Sequence, residues 1–325
     1  MDAIIAESRR NSAQAVLPGL DKPAASRAKT QAAAAKAHAA SAAATIPHLP
    51  ERIAELVHVI PVRRRLADLV LTGEVVEEIK EFLDEFTQAA LLRSNSLEPR
   101  HTMLLVGPPG NGKTSLAEAM AAELSLPLLS LRYDAIVDSY LGETSNRLRK
   151  LIDYASQHPC VLFFDEFDAV GKERSDAQET GEIKRVVSSL LVQMDQLPSH
   201  TLVVCATNHP ELLDRAVWRR FEMVLEIDRP GREQLQTWFD RFERSLNGEP
   251  AGITADQFAE FMHGQNMSEV EAFTLDVRRK LVLSKGVLSP AGAIELVMKR
   301  GRPRLIGDLR EKHSERVPNS PSQTD

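Results

Sequence analysis

The stretch Gly107-Pro108-Pro109-Gly110-Asn111-Gly112-Lys113-Thr114 fills every fixed position of the pattern G-x-x-x-x-G-K-[ST]. Met103-Leu104-Leu105-Val106 precedes it as a short apolar run, and Ser115 to Leu124 follows with apolar residues at helical spacing. A buried strand, a glycine-rich turn and a helix start are therefore predicted in succession. Glycine lets the backbone curl so that successive N–H groups and the helix N-terminus converge on one point, which favours a phosphate. Lys113 has the reach to meet the outer phosphates of a nucleotide, and the Thr114 hydroxyl suits Mg²⁺.

Working outward, the 325 residues are 43% hydrophobic and 26% charged with a net charge of -6, an ordinary globular composition long enough for two domains. No apolar run approaches the roughly 18 residues of a membrane span. Met1 to Arg10 lacks an apolar core of leader length, so export is not expected. The two cysteines, Cys160 and Cys205, each abut or lie within a predicted strand and read as reduced core thiols. A cytoplasmic protein is expected. Mild acidity argues against a chain that coats nucleic acid broadly.

Residues 1–47 are rich in Ala, Ser, Lys and Gln and read as a disordered or transiently helical arm. From about 51 to 95 the pattern is amphipathic, as in Glu77 to Phe86, and reads as a helical lead-in to the first core strand, with Leu69-Val70-Leu71 before the helix. Between 103 and 228 the runs Leu128–Leu131, Val161–Phe164, Leu202–Cys205 and Val224–Ile227 alternate with helical segments. That alternation implies a parallel sheet covered on both faces. After Pro230 the pattern is helical, with capping boxes read at Thr254/Gln257 and Ser268/Glu271 and a helix start at Ser289-Pro290. The domains expected are thus an arm over 1–47, an α/β subdomain over 48–230, a helical lid over 231–300 and a disordered basic tail over 301–325.

Val161 to Asp168 reads V-L-F-F-D-E-F-D, a strand ending in two carboxylates about 50 residues after Lys113. Ligands bind at that edge of such sheets. Asp165 suits Mg²⁺, and Glu166 suits a water that attacks a phosphoryl group. Asn208 follows another apolar strand, where its amide can bond both the terminal phosphate and that water. Arg219 and Arg220 lie too far from the loop to act in the same subunit; they suit a neighbouring subunit's nucleotide, and a surface salt bridge is the other reading.

The set G-P-P-G-N-G-K-T, D-E-F-D-A-V-G-K, A-T-N-H-P-E-L-L-D and W-R-R-F resembles the AAA+ ATPase superfamily. It is most similar to the single-ring branch of katanin, spastin and the ATPase modules of membrane AAA proteases. The resemblance covers about residues 65–285. It implies a P-loop NTPase fold, with a parallel five-stranded sheet in the order 5-1-4-3-2 followed by a small all-helical lid. It also implies ATP and Mg²⁺ held by residues 107–115 (Gly107, Pro108, Pro109, Gly110, Asn111, Gly112, Lys113, Thr114, Ser115) and Asp165. Homo-hexameric rings acting on a protein partner, with or without a separate protease, complete the expectation.

Ser139-Tyr140-Leu141-Gly142 resembles the family's first pore loop, so Tyr140, Leu141 and Gly142 would grip an extended polypeptide, with the helix starting near Thr144. A tyrosine packed in the subunit core is the alternative. Residues 174–184 match a second pore loop only loosely. Two departures stand out: Val270 occupies the place where many branches carry a nucleotide-reading arginine, and the sequence holds no H-E-x-x-H. Arg300-Gly301-Arg302-Pro303-Arg304 contains R-G-R-P, which suits an A·T-rich minor groove as well as a basic tail. A DNA-associated loader and a nucleotide switch are therefore the rival readings to a protein-remodelling motor.

Overall fold

Alternate residues of the central strands point to opposite faces, and both faces are covered. The computed structural model describes residues 49–132, 141–170 and 190–301, all within one compact unit. Strand β1 is Val57–Ile60, β2 Thr102–Val106, β3 Leu128–Leu131, β4 Val161–Phe164, β5 Leu202–Thr207 and β6 Met223–Glu226. Leu104, Leu129, Leu162 and Val203 face one layer, which includes Leu148, Leu151 and Ala155 of helix α5 (Leu141–Gln157). Met103, Leu105, Phe163 and Val204 face the other, built on helix α2 (Gly73–Thr87) and helix α4 (Lys113–Leu124). Burial on both sides is why these strands read as unbroken apolar runs instead of alternating ones. Short helices α1 (Glu51–Ala54) and α3 (Ala89–Ser94) precede β1 and β2.

Among the described residues the sheet has six strands in the order β1-β3-β4-β5-β2-β6. The five parallel strands keep the expected sequence 5-1-4-3-2, and the difference lies at the edge, where β1 pairs antiparallel with β3. Val57–Ile60 was expected in a helical lead-in; it is a strand because β3 offers it a free edge. Four residues are too short for a period to show, and β-branched Val57, Val59 and Ile60 suit a half-buried pleated surface.

The helices after α6 (Arg215–Trp218) and β6 are α7 (Arg232–Arg244), α8 (Ala255–Met262), α9 (Met267–Leu283) and α10 (Pro290–Lys299). They pack around Phe239, Phe258 and Phe273, with ring centroids 4.9 Å apart for the first pair and 5.6 Å for the second. The capping box of α8 is Thr254 with Gln257, as read from the sequence. That of α9 is not Ser268 with Glu271. Asn266 is the N-cap: its side chain accepts from the Glu269 N–H at 3.0 Å, and the Glu269 carboxylate accepts the Asn266 N–H at 2.8 Å. Ser268 is turned elsewhere, onto the glycine-rich loop described below. The expected arm (1–47) and all but the first residue of the tail (301–325) lie outside the described residues.

Asn266 is buried, so replacing it removes the cap where water cannot substitute freely. Asn266→Ala is expected to destabilise the protein by about 1–2 kcal/mol, the upper range for a lost N-cap, read as a lower midpoint in urea unfolding with an unchanged slope.

Candidate active site

Parallel pairing brings the C-terminal ends of β2, β4 and β5 to one edge, since Val106 lies opposite Thr207 and Phe164 opposite Cys205. Each strand is followed there by polar residues: Gly107 to Gly112 after β2, Asp165 and Glu166 after β4, Asn208 after β5. The loop begins pressed against the end of β6. Gly107 has φ 146°, and a Cβ there would lie 2.2 Å from the Ile227 carbonyl oxygen, so no larger residue fits. Gly112, at φ 91°, is the left-handed N-cap from which α4 starts. The first N–H to be closed inside α4 is that of Leu116, on the Gly112 carbonyl at 2.8 Å. No helix carbonyl accepts from Lys113, Thr114 or Ser115, so three N–H groups point out of the first turn.

Lys113 is buried, and its ammonium donates to three oxygens: Gly107 O at 2.7 Å, Pro108 O at 3.0 Å and Asn208 Oδ1 at 2.7 Å. Burial holds its pKa below the ordinary lysine range, while the Asp165 and Asp168 carboxylates act in the opposite direction. Thr114 Oγ1 donates to Asp165 Oδ2 at 2.9 Å, so a hydroxyl and a carboxylate share one point at the mouth of the loop. This is an oxygen pair of the kind that a hard divalent cation takes. Asp165 also accepts the Glu166 N–H at 3.0 Å through its other oxygen. Glu166 is exposed and adopts φ 49°, a left-handed conformation uncommon for a side chain of this kind. Such strain concentrates at functional sites.

The structure therefore brings Lys113, Thr114, Asp165, Glu166 and Asn208 together. It also adds residues that the sequence did not single out. Thr207, fully buried, donates to Asp168 Oδ1 at 2.9 Å and accepts the His209 N–H at 3.0 Å, fixing the strand end from which Asn208 projects. Asp168 was visible as the second aspartate of D-E-F-D. The start of α9 docks on the loop: Ser268 donates to Gly110 O through its N–H (2.9 Å) and its hydroxyl (3.0 Å). Asn111 Oδ1 accepts the Met267 N–H at 3.1 Å. Val270, at the position expected to lack a nucleotide-reading arginine, is fully buried in the helical core.

The two arginines differ. Arg220 pairs with Asp195 and donates to the Leu191 carbonyl at 3.4 Å, within its own chain. Arg219 is exposed and makes no side-chain contact of this kind among the described residues. Tyr140 and the expected second pore loop at 174–184 lie outside the described residues, as do Arg302, Pro303 and Arg304. Leu141 and Gly142 already belong to α5, which begins three residues before the expected start at Thr144.

A family model described as "ATPase family associated with various cellular activities (AAA)" matches residues 103–229. "Uncharacterized AAA family ATPase y4kL" of Sinorhizobium fredii is 35% identical over 247 residues, spanning 76% of this chain and 74% of that protein. The chain belongs to the AAA family of ATPases. This AAA ATPase is also 38% identical over 164 residues to the peroxisomal ATPase pex6 of Schizosaccharomyces pombe, covering 47% of the chain and 17% of pex6. It is 36% identical over 178 residues to the ATP-dependent zinc metalloprotease FtsH of Thermus thermophilus, covering 52% of the chain and 28% of FtsH. The matched segment of the AAA ATPase contains the loop, both carboxylates, Asn208 and the arginine pair. It excludes the start of α9 that docks on them. No helix among the described residues is long and apolar enough to cross a membrane.

Because burial disfavours the Lys113 ammonium, folding carries a cost that is present at neutral pH and relieved only as pH rises towards the ordinary lysine value. Lys113→Met removes that cost together with three hydrogen bonds, so it is expected to change the melting temperature of the nucleotide-free protein little while abolishing nucleotide binding. Thermal melting beside nucleotide titration checks it; a clear fall in melting temperature contradicts the assignment of burial cost to this ammonium.

Proposed function

We propose that this protein is an ATP-hydrolysing ring motor that remodels a protein partner. The observation carrying the reading is the convergence of the Lys113 ammonium, the Thr114–Asp165 oxygen pair and the exposed Glu166 on the free N–H groups of α4. Gly107 to Ser115 would cradle the phosphates, with Lys113 exchanging its loop carbonyls for phosphate oxygens. Thr114 and Asp165 would hold Mg²⁺, which neutralises phosphate charge. Glu166 would accept a proton from the attacking water, and Asn208, already held by Lys113, would orient that water against the terminal phosphate.

Assembly is inferred from what a single chain leaves unused. Arg219 projects from its own subunit without a partner among the described residues, the arrangement a residue needs to reach a neighbour's terminal phosphate. Arg220 anchors the segment that carries it. A homo-hexamer is the ring this reading favours, with Tyr140, Leu141 and Gly142 gripping an unfolded segment in its channel, alone or in the service of a separate protease. The cytoplasm is the compartment proposed: Cys160 and Cys205 are buried free thiols, and burial pushes the Cys160 thiol up to about 12.

Glu166→Gln is expected to keep ATP affinity and lower steady-state hydrolysis by at least about 10²-fold, since a general base typically supplies 10²–10⁴. Hydrolysis by the unaltered protein is expected to rise on adding an unfolded protein and not on adding duplex DNA. Normal turnover in the variant, or stimulation by DNA alone, would remove the reading.

The arginines are expected to separate. Arg220→Ala should lower the melting temperature by breaking the Asp195 pair. Arg219→Ala should leave it unchanged and reduce hydrolysis by about 10³-fold or more. Mixing Arg219→Ala with Glu166→Gln protomers should restore part of the activity, because each subunit supplies what its neighbour lacks. Proven co-assembly without recovery would rule out action between subunits.

A further inference from the structure

Arg64 lies upstream of the matched family segment and in none of the motifs, yet its side chain ends at the first turn of the glycine-rich loop's helix. Its backbone is fixed on α4: Glu118 Oε1 accepts the N–H groups of Arg63 at 2.7 Å and Arg64 at 2.9 Å. Leu66 continues the attachment, donating its N–H to Glu123 Oε1 at 3.2 Å. Ser115 lies three residues before Glu118 and so on the same face of α4, one turn nearer its N-terminus. The guanidinium spans that turn. Nη1 donates to Ser115 Oγ, and Nη2 pairs with Glu271 Oε1 of α9 at 3.4 Å. The first residues of α9, Met267 to Glu271, include no cation, and Arg64 brings a basic group to the junction of α9 and the loop helix.

Ser115 carries the last of the three free N–H groups of α4. Through Arg64 its hydroxyl is tied to α9, whereas the Thr114 hydroxyl beside it is tied to Asp165, on the side of the site where the transferred phosphate belongs. A cation at the far side of that turn from Asp165 would meet a phosphate nearer the nucleoside than the transferred one. The side chain is 45% exposed, and a planar fork can hold a carboxylate on one nitrogen while giving others to a phosphate oxygen. We propose that Arg64 is a nucleotide-binding residue that contacts the α-phosphate of the nucleotide in its own subunit, oriented by Glu271. The proposal rests on the reading of this loop as the ATP site.

The test is titration of ATP and ADP, separately, into the full-length protein and its Arg64→Ala, Arg64→Lys and Lys113→Met variants, with steady-state hydrolysis and thermal melting beside it. Arg64→Ala is expected to weaken ATP and ADP alike by about tenfold, the loss typical of one charge-assisted hydrogen bond. It should keep kcat at saturating ATP within about twofold and leave the melting temperature of the nucleotide-free protein unchanged. Arg64→Lys should recover part of the affinity, because charge remains and the fork is lost. Unchanged affinity in Arg64→Ala, a loss confined to ATP, or a loss accompanied by lowered melting temperature would overturn it, the last marking a structural bridge only. If Lys113→Met binds nucleotide as tightly as the unaltered protein, the ATP-site reading itself fails, whatever Arg64 does.

Discussion

The Lys113 ammonium is the charge on which the geometry of the site depends. Out of contact with bulk water, it needs oxygens, and it takes them from the loop that precedes it and from Asn208 at the next strand end. A buried ammonium without such partners would be prohibitive, so the loop must fold back over its own lysine. That requirement explains the glycines. The Gly107 carbonyl turns toward Nζ from a backbone conformation that favours glycine, and Gly112 ends the loop in the left-handed region, where its own carbonyl starts α4. Strand β5 is drawn in for the same reason, and Thr207 with Asp168 sets its end in place.

Loop shape is also tied to the helices that follow the sheet. Asn266 spends its side chain on capping α9 and still packs over Gly110, where a Cβ would come within 2.9 Å of the Asn266 side chain. Ser268 and Asn111 then join the two by hydrogen bonds. The N-terminus of α9 is thereby fixed to the loop, and the same helix packs into the core around Phe258 and Phe273. Arg241 extends the connection, donating to the carbonyls of Ala67, Asp68 and Leu69 from α7.

Much of this was legible in the chain. The glycine-rich loop, the carboxylates ending β4 and the amide after β5 are local patterns, and the order of the parallel strands came with the family resemblance those patterns carry. The capping box at Thr254 is local too. What escaped depends on residues far apart in sequence. Ser268 suits a cap by type, but Gly110 claims its hydroxyl across 158 positions, and the cap passes to Asn266. Strand β1 has no pattern of its own and exists because β3 has an unpaired edge. Arg219 and Arg220 are adjacent and alike on paper; Asp195 divides them, and no spacing rule pairs residues 25 apart on an irregular path.

The antiparallel strand Val57–Ile60 has a consequence for where this domain begins. It hydrogen-bonds the outer side of β3, with Arg132 N–H adding a further bond to Leu56 O at 2.9 Å. Without it, β3 would present a bare row of peptide donors and acceptors, backed by apolar side chains, to any passing strand. The segment before the family-matched region thus covers the edge of β3 and becomes the edge strand itself, and its four-residue length is one of the ways an edge is kept short. A fragment trimmed to the ATPase match alone would keep the nucleotide loop and leave the buried strand β3 as a bare edge.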